Sequence, residues 1–430
     1  MKSWITRHFR QRWLAEWLVL PLWWLYDRIS PKDRRSWAFF VHPLQPDQFI
    51  ENSRALFEHV KADPAIRKLI FTRGMDADFR IEGACNTRIV DLQSFLGLLL
   101  LARCGTYLLT NAIALDMSWR WPGGDFSVVR ASLRRRLLVN LWHGIPLKRL
   151  FALANPEQAR HADRVAYRRR ERAHYHGLIA SSDIDSYAMA AMFYPIRHSS
   201  LWVTGLPRSD FLMMADAALP GFLREEVEHI RQLKGARRLV VYAPTFREAG
   251  LEGAQCYQFS EAEIDRLKVL MRRHDAVLGF RMHYFRKGDH VFNMERFIDG
   301  ETIIDLGHAV ISEIAPVIRE LDVLITDYSS VYIDALYLEK PVLSFAYDLE
   351  HYRSRQNGLL YDMQVAFPGP VVGEFEALLA ALDRELGGEG RQAAGERYQA
   401  CRKMFFNHTD DSNCARVVER MKALNGSGQE

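Results

Sequence analysis

One stretch constrains the chain more than any other: DVLITDYSSVYIDALYLEKPVLSFAYD, residues 322–348. Val323, Leu324 and Ile325 form a short apolar run, the signature of a strand buried in a parallel sheet. The run ends at Thr326 and Asp327, and Tyr328, Ser329 and Ser330 fill a turn. Val331 to Leu338 reads as a helix, Pro341 follows it, and Val342 to Ala346 reads as the next strand. The whole is a strand–turn–helix–strand unit. Its turn gathers free backbone N–H groups and the positive end of a helix dipole, which favour an anion such as phosphate. Ser329 and Ser330 add hydroxyl donors. Serines also cap helices, so the chemistry alone leaves both roles open.

The rest of the chain repeats this rhythm. Strands are expected at Trp37 to Val41, Leu69 to Thr72, Ile89 to Asp91, Tyr107 to Thr110, Leu137 to Leu141, Leu178 to Ser181 and Leu201 to Thr204. A second series follows at Arg238 to Ala243, Val277 to Met282 and Thr302 to Leu306. Helical patterns lie between them, which argues for open α/β sheets. A chain of 430 residues exceeds one ordinary core, so two domains are expected. The divisions read as 1–30, an amino-terminal segment; 31–205, a first domain; 206–233, a connection; 234–392, a second domain; and 393–430, closing helices and a tail.

A formal charge of +4 is small for this length and argues against a nucleic-acid partner. Cys85, Cys104, Cys256, Cys401 and Cys414 are scattered without a CxxC pair. They suggest neither a disulfide framework nor a zinc site, and they fit a reducing compartment. No signal peptide is recognisable. The first 30 residues interleave Lys2, Arg7, Arg10 and Arg12 with Trp4, Phe9, Trp13 and Trp17, then run into WLVLPLWWLY. That run is about half the ~20 residues a bilayer span needs. It suits an amphipathic segment lying on an anionic membrane surface, or one packed on the protein body. A basic region from Arg130 to Arg172 would suit a polyanionic acceptor or a lipid surface, or form a solvated helix face.

Several polar residues follow expected strand ends: His143, Thr245, His283, and Asp327 with Ser329 and Ser330. Ligands of open α/β sheets bind beyond the carboxyl ends of strands. Two histidines from two domains could face one cleft, a neutral one as general base and a protonated one on phosphate. The chain has no GxxxxGK[ST], no GxGxxG and no GxSxG. No nucleotide-hydrolysing loop, dinucleotide cofactor or metal site is expected, although Asp327 could hold a cation indirectly.

Four segments, in order, resemble one family. Trp142 to Lys148 is WHGIPLK, Val203 to Asp210 is VTGLPRSD, Tyr242 to Arg247 is YAPTFR, and Leu324 to Ser330 is LITDYSS, followed by Lys340-Pro341 and Tyr347 to Glu350. They resemble the WHGxPLK, TGxPRxD, YAPTWR and LITDYSS…KP…YDLExY signatures of the CDP-glycerol glycerophosphotransferases, the teichoic-acid primases and polymerases. The resemblance implies a GT-B-like fold, with two Rossmann-type domains facing a cleft, in a peripheral protein of the cytoplasmic membrane face. It implies transfer of glycerol phosphate or another polyol phosphate from a CDP-activated donor to a hydroxyl of a lipid-linked or growing polymer, with release of CMP. By resemblance His143 and His283 are the catalytic pair. Thr245, Arg281, Asp327, Ser329 and Ser330 attend the donor, and Lys148 and Arg208 form the acceptor-side rim. A homo-oligomer is left open. Two segments depart from the pattern. Arg281-Met282-His283-Tyr284 stands where the family has KxHP, and Asp410 to Arg416 stands where it has DGxAxxR. These departures bear on the donor's identity. A nucleotide-sugar glycosyltransferase would instead release the nucleoside diphosphate, and a non-catalytic polymer- or lipid-binding subunit would release nothing.

Overall fold

The computed structural model describes residues 11–42, 45–153, 165–245, 257–282, 294–355, 358–388 and 395–426. Two sheets organise them. The first contains β1 (Asp33–Phe40), β2 (Arg67–Thr72), β3 (Thr87–Asp91), β4 (Cys104–Leu109), β7 (Leu137–Asn140), β8 (Gly177–Ala180) and β9 (Leu201–Val203). A small antiparallel hairpin, β5 (Ser118–Arg120) and β6 (Phe126–Val128), lies beside it. The second sheet contains β10 (Arg238–Tyr242), β11 (Ala276–Phe280), β12 (Ile303–Asp305), β13 (Val323–Thr326), β14 (Val342–Phe345) and β15 (Val371–Val372).

Every pairing within the two large sheets is parallel. Their orders are β3-β2-β1-β4-β7-β8-β9 and β12-β11-β10-β13-β14-β15. In each, the winding reverses once, between β1 and β4 and between β10 and β13. A crevice opens beyond the strand ends at such a reversal, and that is where open α/β sheets bind ligands. The composition of the strands explains their place. Residues 137–140, 177–180 and 323–326 are buried throughout, as strands covered by helices on both faces must be. The two α/β domains give the GT-B-like architecture.

The expected strands and helices are largely present, with ends shifted by a few residues. The hairpin β5–β6 carries no clear sequence signal, because its strands are only three residues each. The connection 206–233 holds a 14-residue helix, Gly221–Lys234. Phe222, Leu223, Val227 and Ile230 are buried on one face of it, the spacing of an amphipathic helix. The apolar core runs on through this helix, joining Val139 and Trp202 of the first domain to Val241 and Leu324 of the second.

The carboxyl-terminal helix Asn413–Gly426 crosses back to the first domain. Asp210 accepts hydrogen bonds from the backbone N–H groups of Asn413 and Cys414 at 2.9 and 2.8 Å. Gly205 makes this approach possible. Its φ is +76°, and a Cβ there would sit 1.9 Å from Asn413 Oδ1. Only glycine fits both conditions.

The helix Leu20–Ile29 is docked on the first domain. The Trp23 indole N–H donates to the Leu98 carbonyl at 2.7 Å. Asp27 is fully buried and pairs with Arg136 and Lys32. Arg136 also donates to the Cys104 and Ala102 carbonyls. Part of the basic region is therefore internal. Arg136 and Arg172 are buried, Arg172 against the rings of Phe151 and Phe193, while Arg160 and Arg164 lie outside the described residues. No helix among the described residues is long and apolar enough to cross a membrane.

The buried pair yields a test. Asp27→Ala leaves Arg136 charged and uncompensated, which should cost about 3–5 kcal/mol of stability. Urea denaturation measures it, and a loss below ~1 kcal/mol would contradict the pairing.

Candidate active site

The first domain offers His143 on a held turn. β7 ends at Asn140, and Trp142 follows with a φ of +50°. A tryptophan in the left-handed region is strained by about 1–3 kcal/mol unless its surroundings fix it. Here they do. The Trp142 N–H donates to Asn140 Oδ1 at 2.8 Å, and its ring meets Phe193 edge-on at 4.9 Å. The Asn52 amide donates to the Leu141 and Trp142 carbonyls at 2.9 and 3.1 Å. Asn52 Oδ1 accepts from the Arg208 N–H at 3.0 Å. Fully buried Asn52 thus ties the turn to the start of the connection.

The Thr110 backbone lies beside the His143 ring and favours its charged form. A neutral imidazole keeps one ring nitrogen as an acceptor. Desolvation between the domains lowers the His143 pKa to about 4; the Thr110 backbone opposes this, and Arg208 and His42 add to it. The ring is open to the cleft, and water there offsets part of the desolvation. The direction is clear: a neutral imidazole at pH 7.

The second domain supplies donors at its own reversal point. Thr245 follows β10, and its hydroxyl is buried without a hydrogen-bond partner among the described residues. Arg281 follows β11. One amino group donates to the Leu306 and Ile311 carbonyls at 2.8 and 3.0 Å, and the other has no partner among the described residues. Burial lowers the Arg281 pKa to about 10, which leaves it charged at neutral pH. Ser329 and Ser330 follow β13, half-buried. Two hydroxyls, a buried hydroxyl and a partly unpaired guanidinium are the groups a phosphate takes.

Both walls enclose one cleft of about 490 Å³. His143, Lys148 and Arg208 line it from one side, and Thr245, Arg281, Ser329 and Ser330 from the other. A Cβ on Gly144 would lie 3.5 Å from the Arg208 guanidinium and 4.0 Å from Ser330 Oγ, so the histidine turn abuts the serine turn. Arg208 makes a two-point ion pair with Asp334 at 2.8 and 2.9 Å. Below the turn, the Leu360 N–H donates to the Leu147 carbonyl at 2.9 Å, and the Arg149 N–H to Gly358 at 3.2 Å.

Asp327 is the exception among the sequence candidates, because it does not line this cleft. It is fully buried, and its Oδ1 accepts from the Thr245 and Tyr328 N–H groups at 2.7 and 2.6 Å. The first of these bonds fixes the Thr245 backbone in place. His283 lies outside the described residues, as do Phe246 and Arg247.

A family model described as CDP-Glycerol:Poly(glycerophosphate) glycerophosphotransferase matches residues 27–423. The chain belongs to this family. It is 29% identical over 251 residues, 58% of this chain and 46% of the relative, to the teichoic acid ribitol-phosphate polymerase TarK of Staphylococcus aureus (strain NCTC 8325 / PS 47). It is 23% identical over 394 residues to the teichoic acid ribitol-phosphate primase of Bacillus spizizenii (strain ATCC 23059 / NRRL B-14472 / W23), covering 91% of this chain and 92% of the primase. Thus the matched region spans about half the length of the polymerase but nearly all of the primase. A solved structure of the wall teichoic acid polymerase TagF shares the fold, with a TM-score of 0.70, 19% identity, and coverage of 96% of this chain and 94% of that one.

The glycerophosphotransferase motifs are thus the turns that meet in the cleft. Other residues of the site carry no motif. Asn52 sits in a helix start without a sequence signature. Asp334 had a usable signal, a lone acid in the apolar helix segment VYIDALY, since buried acids are rare unless paired. Glu313 had none. Burial raises its pKa to about 7, and it accepts the Glu51 N–H at 2.7 Å.

Asn52→Ala should strand two carbonyls and the Arg208 N–H, costing about 2–4 kcal/mol. Denaturant unfolding measures the loss, and activity per folded molecule should fall as well. A stability change under ~0.5 kcal/mol would contradict the role given to Asn52.

Proposed function

We propose that this protein transfers glycerol phosphate, or a related polyol phosphate, from a CDP-activated donor to a hydroxyl of a lipid-linked or growing polymer, releasing CMP. One observation carries this reading: neutral His143 faces, across one cleft, a second-domain wall of phosphate-type donors. Family membership and the ribitol-phosphate primase and polymerase names of its relatives support the reaction class.

In this reading the donor's pyrophosphate lies against Thr245, Arg281, Ser329 and Ser330. His283 joins them by the family resemblance. Arg208 and Lys148 form the rim, where Arg208, held by Asp334, meets the transferred phosphate. His143 takes the proton of the acceptor hydroxyl. The freed oxygen attacks the β-phosphorus, the bond from that phosphorus to the bridging oxygen breaks, and CMP leaves with the electron pair. Fixed donors around the phosphoryl oxygens stabilise the charge that develops in flight.

Purified protein incubated with a panel of CDP-polyols and an acceptor should release CMP. Release of CDP would favour the nucleotide-sugar reading, and no release would favour a binding subunit. His143→Ala should lower turnover ~10²–10⁴-fold with donor affinity and melting temperature nearly unchanged. Turnover within about threefold of wild type would rule out the base.

The pH profile gives a further check. A base must be neutral, and a lowered pKa keeps it neutral to lower pH. The acid limb of kcat/KM should fall below the ordinary histidine value of about 6.5. A limb above it would contradict a depressed His143.

The amino-terminal helix is proposed to lie on the anionic cytoplasmic face of the membrane. Trp17 and Ile29 are 82% and 78% exposed, and Trp13, Leu22 and Leu25 are exposed beside them. Such a stripe suits the headgroup boundary. Trp23 and Asp27 face inward, so surface substitutions test this better than deletion. Trp13→Ala with Trp17→Ala and Leu22→Ser should reduce sedimentation with anionic vesicles at unchanged melting temperature. Unchanged sedimentation would sink the idea.

A further inference from the structure

A second cavity, of about 100 Å³, adjoins the cleft. It lies at the reversal point of the first sheet. Phe40, Val41 and His42 come from the end of β1, and Thr110 and Asn111 from the end of β4. Gln45 and Gln48 close it from the following loop. Ile50, Glu51 and His143 line both this cavity and the cleft. The two spaces therefore meet at the His143 ring.

Their chemistry differs. The cleft presents Lys148, Arg208 and Arg281, the groups that hold phosphates. The small cavity presents two glutamine amides and the His42 imidazole, with Glu51 at the shared mouth, while the Thr110 hydroxyl and the Asn111 amino group in its wall are bonded to Asp116. Burial lowers the His42 pKa to about 4, with Arg73 and Arg120 nearby adding to the effect, so this ring too is neutral. The Arg73 guanidinium is turned to the carbonyls of Leu115, Asp116 and Ser118. Gln48 Oε1 is buried with no hydrogen-bond partner among the described residues. Uncharged groups that both donate and accept recognise hydroxyls rather than phosphates. A buried acceptor without a partner costs free energy until something donates to it. The volume holds a few water molecules, or the end of a small polyol.

We propose that this cavity seats the terminal polyol of the acceptor, with the reacting hydroxyl at His143 and its neighbouring hydroxyls against Gln48, His42 and Asn111. The assignment rests on the polyol-phosphate transfer proposed above. It gives His143 a position between nucleophile and electrophile. The acceptor hydroxyl loses its proton to the imidazole on the neutral side, and the β-phosphorus waits on the cationic side. The attacking oxygen gains the phosphorus, and CMP departs into the larger cleft.

The test uses the full chain, CDP-glycerol and CDP-ribitol as donors, and a water-soluble alkyl ester of glycerol phosphate as acceptor. Gln48→Leu and His42→Leu should each raise the acceptor KM about tenfold, the scale of one lost uncharged hydrogen bond. Donor affinity, measured by calorimetry, should stay within about twofold of wild type, which also certifies folding. Acceptor KM unchanged in both variants overturns the pocket while leaving the transferase reading intact. Loss of donor affinity in both variants also overturns it, by placing the pocket in donor binding. A wild-type protein that releases no nucleotide from either donor overturns the transferase reading, and the pocket's assignment with it.

Discussion

The site depends on the hydrogen bonds made by Asn52. Its amide holds the carbonyls of Leu141 and Trp142, and its oxygen holds the Arg208 N–H. Without that bracket, a tryptophan at positive φ would relax, and His143 would move with it. The same side chain also ties the first-domain turn to the strand of chain that leaves for the second domain. Arg208 continues the line by pairing with Asp334 across the cleft. One buried amide and one ion pair thus couple the His143 turn to the second-domain wall. Buried polar groups of this kind stabilise only when every member is satisfied, and Asn52 uses both its donor and its acceptor side.

Two reversed sheets supply the rest. Each parallel sheet exposes the ends of its strands at one crevice, and the connection helix with the returning carboxyl-terminal helix turns those crevices toward each other. Gly205 leaves the room that the Asn413 side chain of the returning helix needs. The chemistry then divides by domain. The first brings His143, uncharged groups and the cation Lys148, and the second brings hydroxyls and a guanidinium. A phosphoryl transferase needs little covalent chemistry from its protein, so positioning and charge carry most of the catalytic task.

Much of this was legible in the sequence, for physical reasons. β13 and its turn could be read because a buried parallel strand must be an unbroken apolar run, and Val323 to Ile325 is one. His143, Thr245, Ser329 and Ser330 were legible because polar residues directly after such runs fall at the sheet's carboxyl edge. Other features were not. Asp327 follows its strand in the same way, yet its carboxylate turns inward to backbone N–H groups; side-chain direction at a strand end is set by packing. Arg136 reads as one more cation in a basic run, but Asp27, more than a hundred residues earlier, draws it into the core. His42 and Gln48 belong to a cavity built by β1, β4 and a loop, and no local spacing announces such a place.

In the proposed reaction a hydroxyl activated at His143 attacks the donor's β-phosphorus. CDP-glycerol carrying oxygen-18 in the bridge between its two phosphorus atoms tests this most directly, with mass spectrometry of both products. The label should leave with CMP, and the transferred glycerol phosphate should carry none. Label in the polymer-bound product, or a labelled CDP in place of CMP, would contradict the proposed reaction.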